Sequence, residues 1–120
     1  MFMNAQMIQL TLNELNASSE DILASALISN DGLPVVTALS ADVDGDRVGG
    51  MTAALLSLGT RVTKELRCGN MNQVIVRGDE GYLLLLEANE EMVLVVTAKE
   101  DAKLGLILFQ ARSAIKNLWN

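Results

Sequence analysis

Asp42-Val43-Asp44-Gly45-Asp46 is the segment of this chain that comes nearest to a chemical site, because alternating carboxylates can share a hard cation. A calcium loop of the EF-hand kind needs glycine at its sixth position and a bidentate glutamate at its twelfth. Counted from Asp42, Gly45 is fourth and Ala53 is twelfth. Carboxylates just ahead of a helix have another use, since they cap its free N–H groups and meet the positive end of its dipole. The one cysteine, Cys68, falls near a predicted helix C-terminus, where the dipole disfavours a thiolate and makes it a poor nucleophile. Glu87, Glu90 and Glu91 sit in a predicted hairpin, where solvated carboxylates are ordinary and no second group supports acid–base work. Arg61, Lys64 and Arg67 share one predicted helix, either as contacts for an acidic partner or as solvated charges. The expectation is a chain with no catalytic, metal or cofactor-binding residues.

Histidine is absent, which removes Ser-His-Asp and Cys-His catalysis and histidine metal sites together. Neither a Walker-type glycine loop nor a dinucleotide fingerprint occurs. Phe2, Tyr82, Phe109 and Trp119 are the only aromatic residues, too few for a base-stacking platform. The net charge of −6 argues against nucleic acid and anionic membrane, which select for Lys and Arg. No apolar run approaches the ~20 residues that span a bilayer, and the start lacks the basic region of a signal peptide. With a single cysteine and no internal disulfide available, a cytoplasmic protein is expected.

The elements that must position these residues follow from periodicity. The 120 residues are half hydrophobic with one proline, which suits one domain over 1–120. Met3 to Leu15 repeats apolar residues at helical spacing. Asp21 to Ser29 reads as a strand with Ile22, Ala24, Ala26 and Ile28 on one face and Leu23, Ser25, Leu27 and Ser29 on the other. Asn30-Asp31-Gly32 is a turn, because glycine accepts positive φ and Asn and Asp tolerate it. Pro34 to Ser40 returns as a strand, with Pro34 suited to a strand start or a sheet edge. A long helix runs from about Arg47 to Arg67, its seam formed by Val48, Met51, Leu55, Leu58, Val62 and Leu66, and Gly69 is suited to its left-handed cap. Val74-Ile75-Val76, Tyr82 to Leu86 and Met92 to Val96 follow as strands joined by short polar turns. The last two are apolar on both faces, so the sheet must be covered on both sides. A final helix, capped by Asp101, buries Leu104, Leu108, Ala111, Ile115 and Leu118. The fold class is an α/β three-layer sandwich of order α-β-β-α-β-β-β-α, with a five-stranded mostly antiparallel sheet.

Two surfaces stand out. Opposite the seam of the long helix, a helical projection places Gly49, Ala53, Ser57, Thr60 and Lys64, where long charged residues are usual. Gly49-Gly50 even weakens the helix, by about 1 kcal/mol per glycine relative to alanine. Small residues let another backbone approach closely, so this face is read as an interface. The strand Gln73 to Arg77 would lie at a sheet edge, apolar and without proline or lysine, and such an edge invites pairing. Antiparallel pairing with the same strand of a second chain would cover it with two-fold symmetry.

Ala26-Leu27-Ile28-Ser29-Asn30-Asp31-Gly32-Leu33-Pro34-Val35-Val36 resembles the first hairpin of the Roadblock/dynein-light-chain family. The small-residue helix Gly49 to Leu66 and the strands Gly81-Tyr82-Leu83-Leu84-Leu85 and Leu94-Val95-Val96 continue the resemblance over essentially the whole chain. The resemblance implies a Roadblock/profilin-like fold and a homodimer whose sheet runs on through Gln73 to Arg77 of both copies. It implies dimer contacts at Val74, Ile75 and Val76, with Ala54 and Arg61 of the long helix. Free-standing bacterial members bind Ras-like small GTPases as dimers and favour hydrolysis without supplying an arginine finger. Carried to this chain, Gly49, Gly50, Ala53, Ser57, Thr60 and Lys64 become the docking candidates. Other members act as structural adaptors in larger assemblies, the alternative role.

Overall fold

The computed structural model describes residues 4–119, and the predicted helix start at Met3 lies outside them. The elements are α1 (Ala5–Ala17), β1 (Ile22–Ser29), β2 (Pro34–Ala38), α2 (Gly45–Glu65), β3 (Gln73–Gly78), β4 (Gly81–Glu87), β5 (Met92–Lys99) and α3 (Leu104–Leu118). The strands form one sheet of order β2-β1-β5-β4-β3, antiparallel throughout. Helices α1 and α3 cover one face and α2 crosses the other, giving the three layers that the doubly apolar strands require.

Strand alternation feeds two cores. Leu84, Leu86, Leu94 and Val96 pack with Ile8, Leu12 and Leu15 of α1 and Ile107, Ala111 and Leu118 of α3. Leu85, Val93 and Val95 point the other way and join Ala26 and Ile28 beneath Val48, Leu55 and Leu56 of α2. β1 does not keep the uniform alternation expected of it. A register shift between Ile22 and Ala24 turns Ile22 to the α1/α3 side with Leu27, leaves Leu23 53% exposed, and keeps Ala26 and Ile28 under α2. One extra residue in a strand exchanges the faces on either side of it.

The hairpin turns match their residues. Gly32 has φ +94°, Gly32 N–H donates to the Ser29 carbonyl at 2.9 Å, and the Ser29 hydroxyl accepts from Leu33 N–H at 3.0 Å. Asn30 ties this turn to the β4–β5 turn through bonds to the Glu91 and Glu90 carbonyls, at 2.9 and 2.7 Å. At the other end of β1, the buried Ser25 hydroxyl donates to Asn16 Oδ1 at 2.6 Å, and Asn16 Nδ2 donates to the Ala38 carbonyl at 3.0 Å. This relay fixes the end of α1 over β1 and β2.

α3 departs from its expected stripe. Ile107, Ala111, Ala114 and Leu118 are its buried residues, while Leu104, Leu108 and Ile115 are half-buried. The helix packs against α1 as well as the sheet, so its buried arc is rotated toward α1. Lys103, not Asp101, occupies the position ahead of the helix, and it makes no capping bond.

Candidate interaction surface on the second helix and third strand

α2 is set at its start by Asp44, whose carboxylate accepts from Asp46 N–H at 3.0 Å and Arg47 N–H at 3.4 Å. That bonding gives Asp44 of the Asp42–Asp46 cluster a capping role and starts the helix two residues before the predicted Arg47. The other end closes with Arg67 in the left-handed region at φ 57°. Arg67 N–H bonds the Lys64 carbonyl at 3.2 Å and Cys68 N–H the Thr63 carbonyl at 2.7 Å, the paired arrangement of a Schellman motif. The expected glycine cap is therefore displaced: Gly69 is also left-handed, at φ +86°, but stands two residues beyond the position that ends the helix.

The helix lies on the sheet with its hydrophobic seam turned to one flank, so that Val48 and Leu55 of the seam pack on the sheet while the rest does not. Its buried residues are Gly49 and Thr52. Met51, Leu58, Val62 and Leu66 of the seam are 58%, 57%, 45% and 70% exposed. A backbone contact near the helix start helps to set this rotation. A Cβ on Gly49 would stand 2.1 Å from the Gly32 carbonyl oxygen, so the helix rides directly on the β1–β2 turn. With Gly49, Thr52 and Ala53 turned to the sheet and Leu55 half-buried against it, Met51, Leu58, Val62 and Leu66 are left facing outward. A stripe this narrow is the pattern of a helix–helix seam rather than of a broad core-facing surface.

The docking candidates are thereby divided. Gly49 is a packing residue, buried against β1–β2, and is withdrawn from the docking face. Gly50, Ser57 and Lys64 are exposed, and Ala53 and Thr60 are half-buried. Ala53, Ser57, Thr60 and Arg61 come together along a cleft of about 430 Å³, closed by Asn30, Met71, Glu87 and Val93. Gly50 and Lys64 lie outside its lining. The opposite flank of α2 borders an apolar groove of about 320 Å³ that includes Leu23, Val43, Met51, Leu55, Leu83 and Val95. Ala54, on the outer side of α2, is exposed.

The sheet has two edges with different character. β2 is five residues long, begins with Pro34, and has carbonyls engaged by α1: Gln9 Nε2 donates to Thr37 O at 3.2 Å and Asn16 Nδ2 to Ala38 O at 3.0 Å. Shortness, proline and side-chain caps are the usual means of blunting an edge. β3 occupies the other edge, as expected, and has none of them. Ile75 and Val76 are 40% and 41% exposed, and Val74 is half-buried. Val74 and Val76 pair with Leu85 and Leu83 and so face the α2 side, where the exposed seam also stands.

This arrangement can bind but is poorly equipped for bond-breaking. Among the described residues Glu87 is the only carboxylate on the cleft and Arg61 the only cation, and no histidine or lysine lines it to activate the Ser57 and Thr60 hydroxyls. Cys68 is exposed beside the end of α2. Among the described residues no three His, Cys, Asp or Glu side chains gather as a metal site, and no helix is long and apolar enough to cross a membrane. The sequence missed that Met51, Leu58, Val62 and Leu66 are uncovered, although their heptad-like spacing carried the signal. Asn30, Met71 and Val93, drawn to the cleft from three separate elements, left no trace in any local pattern.

Comparison with known proteins agrees with this architecture. The chain is 33% identical over 114 residues to the uncharacterized protein MJ1340 of Methanocaldococcus jannaschii, covering 93% of this chain and 96% of that protein. A Roadblock/LC7 domain from Streptomyces avermitilis superposes with a TM-score of 0.84 at 22% identity, covering 92% and 93% of the two chains. Myxococcus xanthus MglB gives 0.84 at 18% identity, covering 92% and 90%. Schizosaccharomyces pombe profilin shares the fold at a TM-score of 0.65 and 11% identity, covering 92% and 95%. The sequence profile of the Roadblock/LC7 domain matches residues 7–98, and the chain belongs to that family.

Proposed function

We propose that this protein is a homodimeric, non-catalytic regulator that binds a Ras-like small GTPase and promotes its GTP hydrolysis. The observation that carries the dimer is the joint exposure of the α2 seam and the apolar β3 edge on one side of the sheet. A second copy related by a two-fold axis would extend the sheet through β3 and bury Met51, Leu58 and Val62 against their counterparts. The isologous geometry satisfies both surfaces at once. Docking of the GTPase is supported by membership in a family whose free-standing bacterial members bind such partners as dimers. The cleft flank of α2 suits it, with Ala53 and Ser57 letting a partner backbone approach and Thr60 supplying a polar contact.

The test is affinity capture from native lysate with the tagged protein, in GTP analogue and in GDP, followed by hydrolysis assays on any GTPase recovered. The reading expects a small GTPase held mainly with the analogue, lost when Ser57→Arg blocks the cleft, and hydrolysing GTP faster in the presence of the wild type. Equal recovery of partners in both nucleotides, with no GTPase among them, would instead assign the protein an adaptor role.

A further inference from the structure

The β4–β5 turn, residues 88–91, stands where the α2 cleft and the C-terminal end of α3 both reach the sheet. Strand alternation makes its two legs straddle the two faces. On the outgoing leg Glu87 lines the cleft, and Ala88 packs on the α1/α3 side. On the returning leg Val93 lines the cleft, and Met92 packs on the α1/α3 side, as Trp119 does. A cleft contact and a contact on the opposite face are thus one residue apart on each leg.

By itself the turn is lightly held. Ala88 N–H and Asn89 N–H both donate to the Met92 carbonyl, at 2.9 and 3.2 Å, and Glu91 N–H donates to Asn89 Oδ1 at 2.8 Å. Asn89, Glu90 and Glu91 are exposed and add no apolar side chain to either core. Among the described residues, its hydrogen bonds to the rest of the fold come from two residues on opposite sides of the sheet. Asn30, on the cleft lining, donates its backbone N–H to the Glu91 carbonyl at 2.9 Å and Nδ2 to the Glu90 carbonyl at 2.7 Å. Trp119, just past α3, donates Nε1 to the Ala88 carbonyl at 3.3 Å. A polar surface segment with few apolar contacts opens at low free energy and as a unit, so loosening one pin loosens the other.

We propose that the β4–β5 turn is a conformational device that couples the α2 cleft to the C-terminal end of α3 on the other face of the sheet. A partner seated against Asn30, Glu87 or Val93 displaces or tightens the turn, and the change reaches Trp119. Linkage makes the coupling reciprocal, so a contact that moves Trp119 alters the affinity of the cleft. The device rests on the geometry of the cleft and not on what docks there, and it stands or falls separately from the GTPase reading. The test is hydrogen exchange by NMR on the whole protein, comparing wild type with Asn30→Ala and Trp119→Phe. Trp119 is the only tryptophan, so its indole N–H is an unambiguous probe. Asn30→Ala, an exposed substitution, removes the Nδ2 bond and should speed exchange of the Ala88 and Asn89 amides by roughly three- to tenfold. The Trp119 indole should speed by a similar factor, although nothing has changed on its side of the sheet. Trp119→Phe, which keeps a ring in place, should shift the Asn30 side-chain amide resonances. The Asn16 side-chain amide, bonded to the Ala38 carbonyl at the far end of the sheet, should keep its wild-type resonance in both variants. Unchanged exchange at the turn, faster turn amides beside an unchanged Trp119 indole, no shift at Asn30, or equal changes at Asn16 would overturn the coupling.

Discussion

Gly49 and Gly50 are adjacent in sequence and opposite in consequence. A methyl group on Gly49 would meet the Gly32 carbonyl oxygen at 2.1 Å, while one on Gly50 would meet nothing within 4 Å. Gly49→Ala must push α2 off the β1–β2 turn, and urea unfolding should record a loss of roughly 1–3 kcal/mol. Gly50→Ala should gain about 0.5–1 kcal/mol in the same measurement, because alanine restricts the unfolded chain and fits the helix. Comparable effects of the two substitutions would refute the close approach. Arg67 offers the reverse experiment. A non-glycine residue at φ 57° carries a steric cost of about 1 kcal/mol, so Arg67→Gly should raise the midpoint of thermal unfolding by a few degrees for a domain of this size.

α2 and β3 each present one surface to their own chain and another to the outside. α2 meets the sheet through Gly49, Thr52 and Ala53 together with Val48, Leu55 and Leu56, and its other large apolar residues, Met51, Leu58, Val62 and Leu66, remain exposed. β3 pairs with β4 through Gln73 to Gly78 and, among the described residues, no strand pairs with its second row of backbone groups. A charge in the middle of the seam would have to be desolvated on association. Leu58→Glu should therefore weaken self-association by a factor of at least about 100, read by sedimentation equilibrium, while the far-UV circular dichroism of the protomer stays unchanged. Val76→Lys, on the β3 edge, should weaken it by roughly tenfold or more through the charge-blunting that sheets use to avoid edge pairing. If both variants sediment as the wild type does, the proposed dimer through this side of the molecule is refuted.

The two cores of the sandwich differ in depth. The α1/α3 face buries large residues from both helices and the sheet, whereas α2 covers Ala26, Ile28, Leu85, Val93 and Val95 with half-buried side chains and leaves grooves on both flanks. A domain whose thinner core is completed by a second copy gains stability from association. The midpoint of thermal unfolding should then rise with protein concentration in the wild type and lose that dependence in Leu58→Glu, as mass action requires. A concentration-independent midpoint in the wild type would mean that the thin face is sufficient alone.

The order of elements, the hairpin at Asn30-Asp31-Gly32, the edge position of β3 and the need for cover on both faces were legible in the residues. Each follows from local rules: alternation at period two, helical spacing, and the conformational freedom of glycine. Local rules do not say what an apolar stripe packs against. Met51, Leu58 and Val62 form as good a seam outside the fold as they would inside it, and contacts such as that between Gly49 and Gly32 turn them outward. The bulge at Leu23 escaped for a related reason, since one added residue changes no local propensity yet exchanges the faces of a strand. Composition and periodicity are properties of neighbours along the chain, and they sufficed for the layers of this molecule. The choice of which stripe is buried, and so which surface is left for a partner, belongs to contacts between residues far apart in sequence.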